Sequence, residues 1–176
     1  DIVALVTDRP TTSRASEIAR AVGLPVIALD IREFYSARGC RRISIATSEG
    51  RQIREAWTGE LLELLKPHAI DIGVFAGFVP LTNMTAHIPC LNVHPGDLTW
   101  LKDGRRHLVG LHTIPVERAI LERLDALRSS VILAEPYTGR GDDMDSGPLL
   151  GISKKVPIDL MGASVEELQA AAAMPN

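Results

Sequence analysis

Residues 49–76 read EGRQIREAWTGELLELLKPHAIDIGVFA, and this stretch decides the fold class. Its first part repeats apolar side chains at helical spacing and ends at a proline, which predicts an amphipathic helix over about residues 49–65. The apolar face of that helix consists of Ile53, Trp57, Leu61, Leu64 and Leu65. Residues 71–76 form a short apolar run, which predicts a strand buried on both faces. A helix followed directly by a buried strand is typical of an α/β fold.

The same alternation extends in both directions along the chain. A helix over residues 14–22, with Ile18, Ala21 and Val22 as its apolar face and Gly23 as its stop, lies between the first two predicted strands. Residues 31–48 show no clear pattern. Later segments predict a helix over 113–127 and a last helix that Ser164 and Glu167 cap. The predicted strands are residues 2–7, 25–30, 71–76, 90–93, 130–134 and 149–156.

This element order predicts an open, mostly parallel, twisted sheet with helices on both faces, a Rossmann-like α/β fold. The last two strands follow each other without a helix, so one edge of the sheet is expected to be antiparallel. Ligands of such sheets bind beyond the carboxyl ends of the strands. The unusual residues of this chain lie at those strand ends.

Composition narrows the classes of function. The chain has 176 residues, 45% of them hydrophobic and 23% charged, which fits one globular domain. Its formal net charge is -3, and it has no long basic run, so broad electrostatic binding to nucleic acid is disfavoured. Cys40 and Cys90 lack the spacing of metal ligands and are too few for a disulfide framework. With no membrane-length apolar run and no signal peptide visible, we expect a cytoplasmic protein without a membrane partner.

The most informative short motif is Leu91-Asn92-Val93-His94-Pro95-Gly96. Side chains alternate along a strand, so Asn92 and His94 are expected to face the same side, and Pro95 places His94 at the strand end. An amide donor beside an imidazole suits the stabilisation of an oxyanion together with proton transfer. The alternative is a purely structural role for both residues in holding a sharp turn.

A second motif is the acidic run Gly141-Asp142-Asp143-Met144-Asp145-Ser146-Gly147-Pro148. Three carboxylates within four residues suggest a general base or a metal loop, although the run lacks the pattern of an EF-hand. Taken alone, the run is best explained as a solvated acidic turn.

Together, these motifs resemble the 10-formyltetrahydrofolate-dependent formyltransferases, the group that includes glycinamide ribonucleotide formyltransferase and methionyl-tRNA formyltransferase. The resemblance covers residues 60–158 best. Its matching segments, in family order, are 67–78, Asn92-Val93-His94-Pro95, Gly110-Leu111-His112-Thr113 and Met144-Asp145-Ser146-Gly147-Pro148. The resemblance implies the family's fold, in one catalytic domain over residues 1–176. The family begins with a strand and a Gly-rich turn ahead of residues 2–7, so we expect a chain that lacks this first strand and is incomplete at both ends.

The resemblance also implies the site. Asn92, His94 and Asp145 would form the catalytic set, with Asn92 and protonated His94 on the oxyanion and Asp145 paired with His94. No metal is implied. The formyl donor would be 10-formyltetrahydrofolate, in a pocket to which two segments contribute. Phe78 and Val79 would contact the pterin ring, and the loop residues Tyr137, Thr138, Gly139, Arg140, Gly141, Asp142 and Asp143 would line it.

Departures from the family pattern lie near the acceptor. Residues 103–107 look like an inserted, mobile basic loop, in which Arg105 and Arg106 are candidate contacts to an acidic acceptor. The implied activity is formyl transfer to a small-molecule amine, closest to the glycinamide ribonucleotide enzymes of purine biosynthesis. The alternatives are a formyltetrahydrofolate hydrolase and a catalytically silent folate-binding module. A transfer RNA acceptor is disfavoured by the net charge, and the oligomeric state, a homodimer included, stays open.

Overall fold

The structure is a computed structural model that describes residues 1–111, 113–139 and 144–172. Within those ranges, ten strands and five α-helices follow one another along the chain. The strands are β1 (Leu5–Thr7), β2 (Val26–Ala28), β3 (Gly73–Phe75), β4 (Cys90–His94), β5 (Leu101–Lys102), β6 (Arg105–Arg106), β7 (Ala126–Leu127), β8 (Ser130–Ala134), β9 (Leu149–Ile152) and β10 (Val156–Pro157). The helices are α1 (Ala15–Val22), α2 (Ile31–Ser36), α3 (Ser48–Leu65), α4 (Ile114–Leu121) and α5 (Val165–Ala172).

The central sheet has the strand order β3-β4-β8-β9, and β1 and β2 form a separate parallel pair. Strands β8 and β9 pair antiparallel, which confirms the predicted antiparallel edge. The predicted class is also confirmed: the fold is mixed α/β with a sheet rich in parallel strands. Within the described ranges, no helix is both long enough and apolar enough to cross a membrane.

The chain divides into two units, which we describe separately. Unit 1 consists of Asp1–Leu91 and Ala134–Ser146, and unit 2 consists of Asn92–Leu133 and Gly147–Asn176. The expectation of one catalytic domain stays a prediction.

Helix α3 builds the core of unit 1. Ile53, Trp57, Leu61 and Leu65 are four residues apart and are all buried, because side chains at this spacing lie on one helix face. The Trp57 indole N–H also donates to the Leu29 carbonyl at 3.2 Å. The sequence predicted this face correctly except for Leu64, which is 42% exposed.

Helix α1 buries a different face from the predicted one. Its buried residue is Ala19, whereas Ile18 and Val22 are exposed. The helix packs against β1 and β2, and a small side chain at this contact lets the backbones approach closely. The predicted stop is confirmed, since Gly23 has a φ of 71° and its N–H donates to the Ala19 carbonyl.

Helix α2 falls in the stretch that the sequence left unassigned. The Asp30 carboxylate accepts from the N–H groups of Arg32 and Glu33 at 2.8 and 3.1 Å, which is an N-cap. The helix buries three of its own side chains, those of Ile31, Phe34 and Tyr35. The spacing of Asp30 and Glu33 carries this signal, which sequence reasoning missed.

Unit 2 departs from the prediction at two places. Helix α4 ends at Leu121 rather than residue 127, because Arg123 adopts a left-handed φ of 55° and β7 follows, paired with β10. Residues 101–106 form a β-hairpin rather than an irregular loop. Its turn residues Asp103 and Gly104 have φ angles of 52° and 73°, the combination that suits a tight two-residue hairpin turn.

Candidate active site

Strand β4 presents the two predicted catalytic residues of unit 2. His94 is the last residue of the strand and is 2% exposed, Asn92 is half-buried, and Val93 between them is 45% exposed. This alternation is what a strand with one covered face shows. Asn92 and His94 therefore lie together at the carboxyl end of β4, as predicted.

The His94 imidazole is engaged with backbone. Its Nε2 lies 2.6 Å from the carbonyl oxygen of Leu108, which is itself fully buried. A carbonyl can only accept, so Nε2 carries a proton and donates. The contact fixes both the orientation of the ring and the tautomer of its neutral form.

Gly96 makes this contact sterically feasible. A Cβ atom at residue 96 would lie 2.3 Å from the Leu108 oxygen, 2.8 Å from His94 Nε2 and 2.9 Å from Pro115 Cβ. Each of these distances is too short for a real Cβ atom.

Ser130, the first residue of β8, stabilises the same turn through hydrogen bonds of its side chain. Its side chain is fully buried, and its hydroxyl donates to the Gly96 carbonyl at 2.8 Å while it accepts from the Leu98 N–H at 2.9 Å. Both backbone groups would otherwise be costly to bury. Sequence reasoning missed Ser130 because its partners are 32 and 34 residues away along the chain.

Arg106 bonds the backbone within unit 2, and its expected contact with an acceptor stays a prediction. Its Nη1 donates to the Gly147 carbonyl at 2.9 Å, and Gly147 follows the predicted catalytic aspartate by two residues. The hairpin therefore contacts Gly147 within unit 2. Arg105, its neighbour in β6, is exposed.

In unit 1, Tyr137 is the best-anchored residue of the predicted donor pocket. It is 8% exposed, and its backbone N–H donates to Asn83 Oδ1 at 2.9 Å while its phenol donates to the Glu55 carboxylate. Asn83 Nδ2 donates to Glu55 at 3.0 Å, which closes a ring of three hydrogen bonds. Burial, and then the adjacent Glu55 carboxylate, raises the pKa of Tyr137 far above its usual range.

Phe78 and Val79 follow β3 in unit 1, and both are half-buried. The Phe78 ring stacks on Phe75 at 5.2 Å and on Trp57 at 6.2 Å between ring centroids. The Phe78 ring therefore packs against the hydrophobic core of unit 1. The predicted contact of Phe78 and Val79 with a pterin stays a prediction.

The remainder of the predicted loop is only partly described. Thr138 and Gly139 are exposed, and Gly139 has a left-handed φ of 78° that favours glycine. The predicted pocket residues Arg140, Gly141, Asp142 and Asp143 lie outside the described residues.

Asp145 differs from an ordinary solvated acidic residue. It is 9% exposed and has a left-handed φ of 56°, an uncommon conformation for a residue with a side chain. It belongs to unit 1, whereas Asn92 and His94 belong to unit 2. Its pairing with His94 stays a prediction. Within the described ranges, no three His, Cys, Asp or Glu residues are grouped so that they could hold a metal.

The fold is shared with solved formyltransferases and with a formyltetrahydrofolate deformylase. The chain is similar to phosphoribosylglycinamide formyltransferase from Bacillus halodurans, with a TM-score of 0.65 and 23% identity over 97% of this chain and 72% of that one. It is also similar to glycinamide ribonucleotide transformylase 1 from Geobacillus kaustophilus, with a TM-score of 0.59 and 22% identity over 96% and 73%.

A third structure is a formyltetrahydrofolate deformylase from Burkholderia mallei, with a TM-score of 0.54 and 16% identity. It covers 97% of this chain, which spans 48% of the deformylase. No family model and no curated protein matches the chain. These likenesses confirm the predicted resemblance at the level of the fold.

Proposed function

We propose that this protein is an enzyme that transfers the formyl group of 10-formyltetrahydrofolate to a small amine. The observation that carries the proposal is the pair Asn92 and His94 at the carboxyl end of β4, in a fold shared over 97% of the chain with a formyltransferase. In open α/β sheets this edge is where ligands bind. A fold alone does not define a reaction, so the proposal depends on these side chains.

The proposed chemistry is direct acyl transfer. The lone pair of the amine attacks the formyl carbon, and the carbonyl π electrons move to oxygen to give a tetrahedral oxyanion. The Asn92 amide donates to that oxygen, and protonated His94 stabilises it by its charge; one such donor is typically worth about 3–4 kcal/mol. Collapse of the intermediate breaks the bond to the folate nitrogen.

Proton balance needs one further group. The attacking nitrogen loses a proton, and the departing folate nitrogen gains one. Asp145 holds His94 in its charged form in this proposal and relays the proton, through water if the distance requires it. Its low exposure favours this role, because a poorly hydrated carboxylate interacts more strongly with a nearby cation.

The donor side of the proposal uses unit 1. The Tyr137–Glu55–Asn83 ring holds the start of the loop that runs to Asp145, and Phe78 offers an aromatic surface backed by core residues. A pterin ring needs such an apolar contact together with backbone polar groups that orient it. We propose that this loop is part of the donor pocket.

Glycinamide ribonucleotide is the acceptor that we propose first, which would place the enzyme in purine biosynthesis in the cytoplasm. The structures with the two higher TM-scores among those compared above are named for that activity. Hydrolysis of the formyl group is the second candidate, because a deformylase shares the fold over almost the whole chain. In that case water replaces the amine and formate leaves.

Binding is the first test. With 5-formyltetrahydrofolate at a hundred times its dissociation constant, we expect stabilisation by about 2.7 kcal/mol, visible as a higher melting temperature. The p-aminobenzoylglutamate part alone, which lacks the pterin, is the matched control ligand and should shift melting far less. An unchanged melting temperature with saturating folate would contradict the donor assignment.

Product analysis then separates the candidate reactions. The protein is incubated with 10-formyltetrahydrofolate carrying an isotopic label in the formyl group, with and without phosphoribosylglycinamide. Label in the amide product supports transfer, and label in formate without an amine supports hydrolysis. Folate binding without either product would identify a silent binding module.

A further inference from the structure

We propose that Arg118 is a positioning residue for His94, acting through the backbone of residues 107–109. The inference rests on the proposed function in taking His94 as the reacting imidazole. Arg118 lies in α4, within unit 2, and is half-buried. Neither the sequence motifs nor the family resemblance pointed to it.

Arg118 holds two peptide groups with one nitrogen. Its Nη1 donates to the His107 carbonyl at 2.8 Å and to the Val109 carbonyl at 2.9 Å. The peptide carbonyl between them, that of Leu108, accepts from His94 Nε2 at 2.6 Å. Three successive carbonyls are thus oriented by two side chains, and Arg118 determines the direction of the two outer ones.

This arrangement makes the Leu108 carbonyl a fixed acceptor. One charge-assisted hydrogen bond on each side, to the carbonyls of residues 107 and 109, restrains the rotation of the Leu108 peptide. Such bonds are stronger than neutral ones. The buried Leu108 side chain adds a further restraint. A restrained acceptor keeps the proton of neutral His94 on Nε2, which leaves the ring lone pair on Nδ1.

The consequence for catalysis is a defined imidazole. A histidine that transfers protons must have its tautomer and ring plane set before the reaction, and a partner on one ring nitrogen normally sets them. In this protein the partner of the ring nitrogen is the Leu108 carbonyl, and Arg118 restrains the position of that carbonyl. Loss of Arg118 should therefore impair turnover more than substrate binding.

The experiment compares three variants of the full chain. Arg118→Met keeps the length of the stem and removes the donors, and Arg118→Lys keeps a cation that can donate to both carbonyls. Arg123→Met is the matched control, since Arg123 also carries a guanidinium in this region of unit 2 but is exposed and bonds Glu166. Nitrogen-15 NMR of the histidine rings reports the tautomer of His94 without any need for activity.

We expect wild type and Arg123→Met to show neutral His94 with its proton on Nε2, and Arg118→Met to show a mixture of tautomers. For formyl transfer, kcat should fall roughly tenfold or more in Arg118→Met, with the folate KM changed less than about twofold, and Arg118→Lys should recover most of the loss. A folded Arg118→Met protein with the wild-type tautomer would overturn the proposal.

Two other outcomes are also decisive. If Arg118→Met does not fold, the fallback variant Arg118→Gln decides, because its neutral and shorter side chain cannot make both charge-assisted bonds and should still give a mixture of His94 tautomers; the wild-type tautomer in folded Arg118→Gln would overturn the proposal. If wild type transfers no formyl group but Arg118→Met shifts the tautomer, the proposed function fails while the positioning role of Arg118 stands.

Discussion

His94 in unit 2 and Tyr137 in unit 1 are both buried titratable side chains, but different kinds of partner hold them. His94 bonds a backbone carbonyl that Arg118 orients, in a turn where Gly96 leaves no room for a side chain. Tyr137 bonds two side chains, Glu55 and Asn83. The first region therefore depends on where the backbone lies, whereas the second depends on individual hydrogen bonds that can be removed one at a time.

We expect the greatest loss of turnover from substitution of Asp145. Asp145→Asn keeps the shape and removes the charge, so the proposed partner of His94 is lost. Turnover should fall by about 10²–10⁴, the usual range for general acid–base catalysis, while folate affinity changes far less. Steady-state kinetics with a separate folate titration measures both.

Its acidic neighbours serve as matched controls. Asp142→Asn and Asp143→Asn remove the same charge nearby in sequence and should each cost little turnover. If Asp143→Asn abolished turnover and Asp145→Asn reduced it only slightly, the catalytic role would belong to Asp143. Equal losses in all three variants, together with folate binding, would make the run a structural loop.

Gly96→Ala tests the dependence of the first region on backbone placement. The new Cβ would meet the Leu108 carbonyl, the His94 ring and Pro115 at 2.3–2.9 Å, so the turn must shift. We expect a loss of about 3 kcal/mol in the free energy of unfolding, at the upper end of what overpacking costs. Urea unfolding measures this loss.

Gly59→Ala is the control for that substitution. Gly59 lies inside α3 with open space around its Cα, and alanine there should stabilise the helix by about 0.5–1 kcal/mol. If Gly96→Ala were as stable as wild type, the close approach of the turn to Leu108 would not constrain the protein.

Tyr137→Phe tests the second region with a smaller expected effect. It removes the bond to Glu55 and leaves the backbone bond to Asn83 in place. The free energy of unfolding should fall by about 1.5 kcal/mol, which is the lower end of the range for a hydrogen bond to a charged group. Folate affinity should weaken about tenfold, the same free energy, with kcat nearly unchanged. A fall in kcat at unchanged affinity would remove Tyr137 from the donor side.

Alkaline pH provides an independent view of the same residue. Because the pKa of Tyr137 is raised in the folded protein, its contribution to stability is complete below pH 10, the ordinary value for a tyrosine, and is lost as pH rises above it. Above pH 10 the unfolded tyrosine loses its proton while the folded one keeps it. Each tyrosine of this kind lowers the unfolding free energy by about 1.4 kcal/mol per pH unit. Burial also raises the pKa of Tyr35, so Tyr137→Phe should reduce this dependence and not abolish it. Urea midpoints between pH 9 and pH 11 measure it.

Arg105→Ala carries the smallest effect. Arg106 bonds the Gly147 carbonyl, so Arg105 is the cation of this pair that suits an acceptor phosphate or carboxylate. We expect the acceptor KM to rise roughly two- to fivefold, as for an exposed ion pair, with the folate KM unchanged. Lys155→Ala, an exposed cation between β9 and β10, is the control. An equal loss of folate affinity in Arg105→Ala would place the hairpin on the donor side.

Local patterns in the amino-acid sequence were sufficient to predict several helices and strand ends. Helix α3 followed from the four-residue spacing of Ile53, Trp57 and Leu61, and the cap of α5 followed from Ser164 and Glu167, whose reciprocal bonds are 2.7 and 3.1 Å. Such signals depend on neighbours within one or two turns of a helix, so they can be read without a fold. The position of Asn92 and His94 at a strand end was equally local.

The partners of the site residues, by contrast, come from distant parts of the chain and could be identified only in the folded protein. The donors to residues 107–109 come from β4 and α4, and the hydrogen bonds of Ser130 and Tyr137 span 32 to 82 residues of sequence. The exposed Ile18 and Val22 of α1 show the same limit, since periodicity identifies apolar side chains but not the surface that covers them. Contacts between distant segments arise only when the chain folds, and no local pattern in the sequence encodes them.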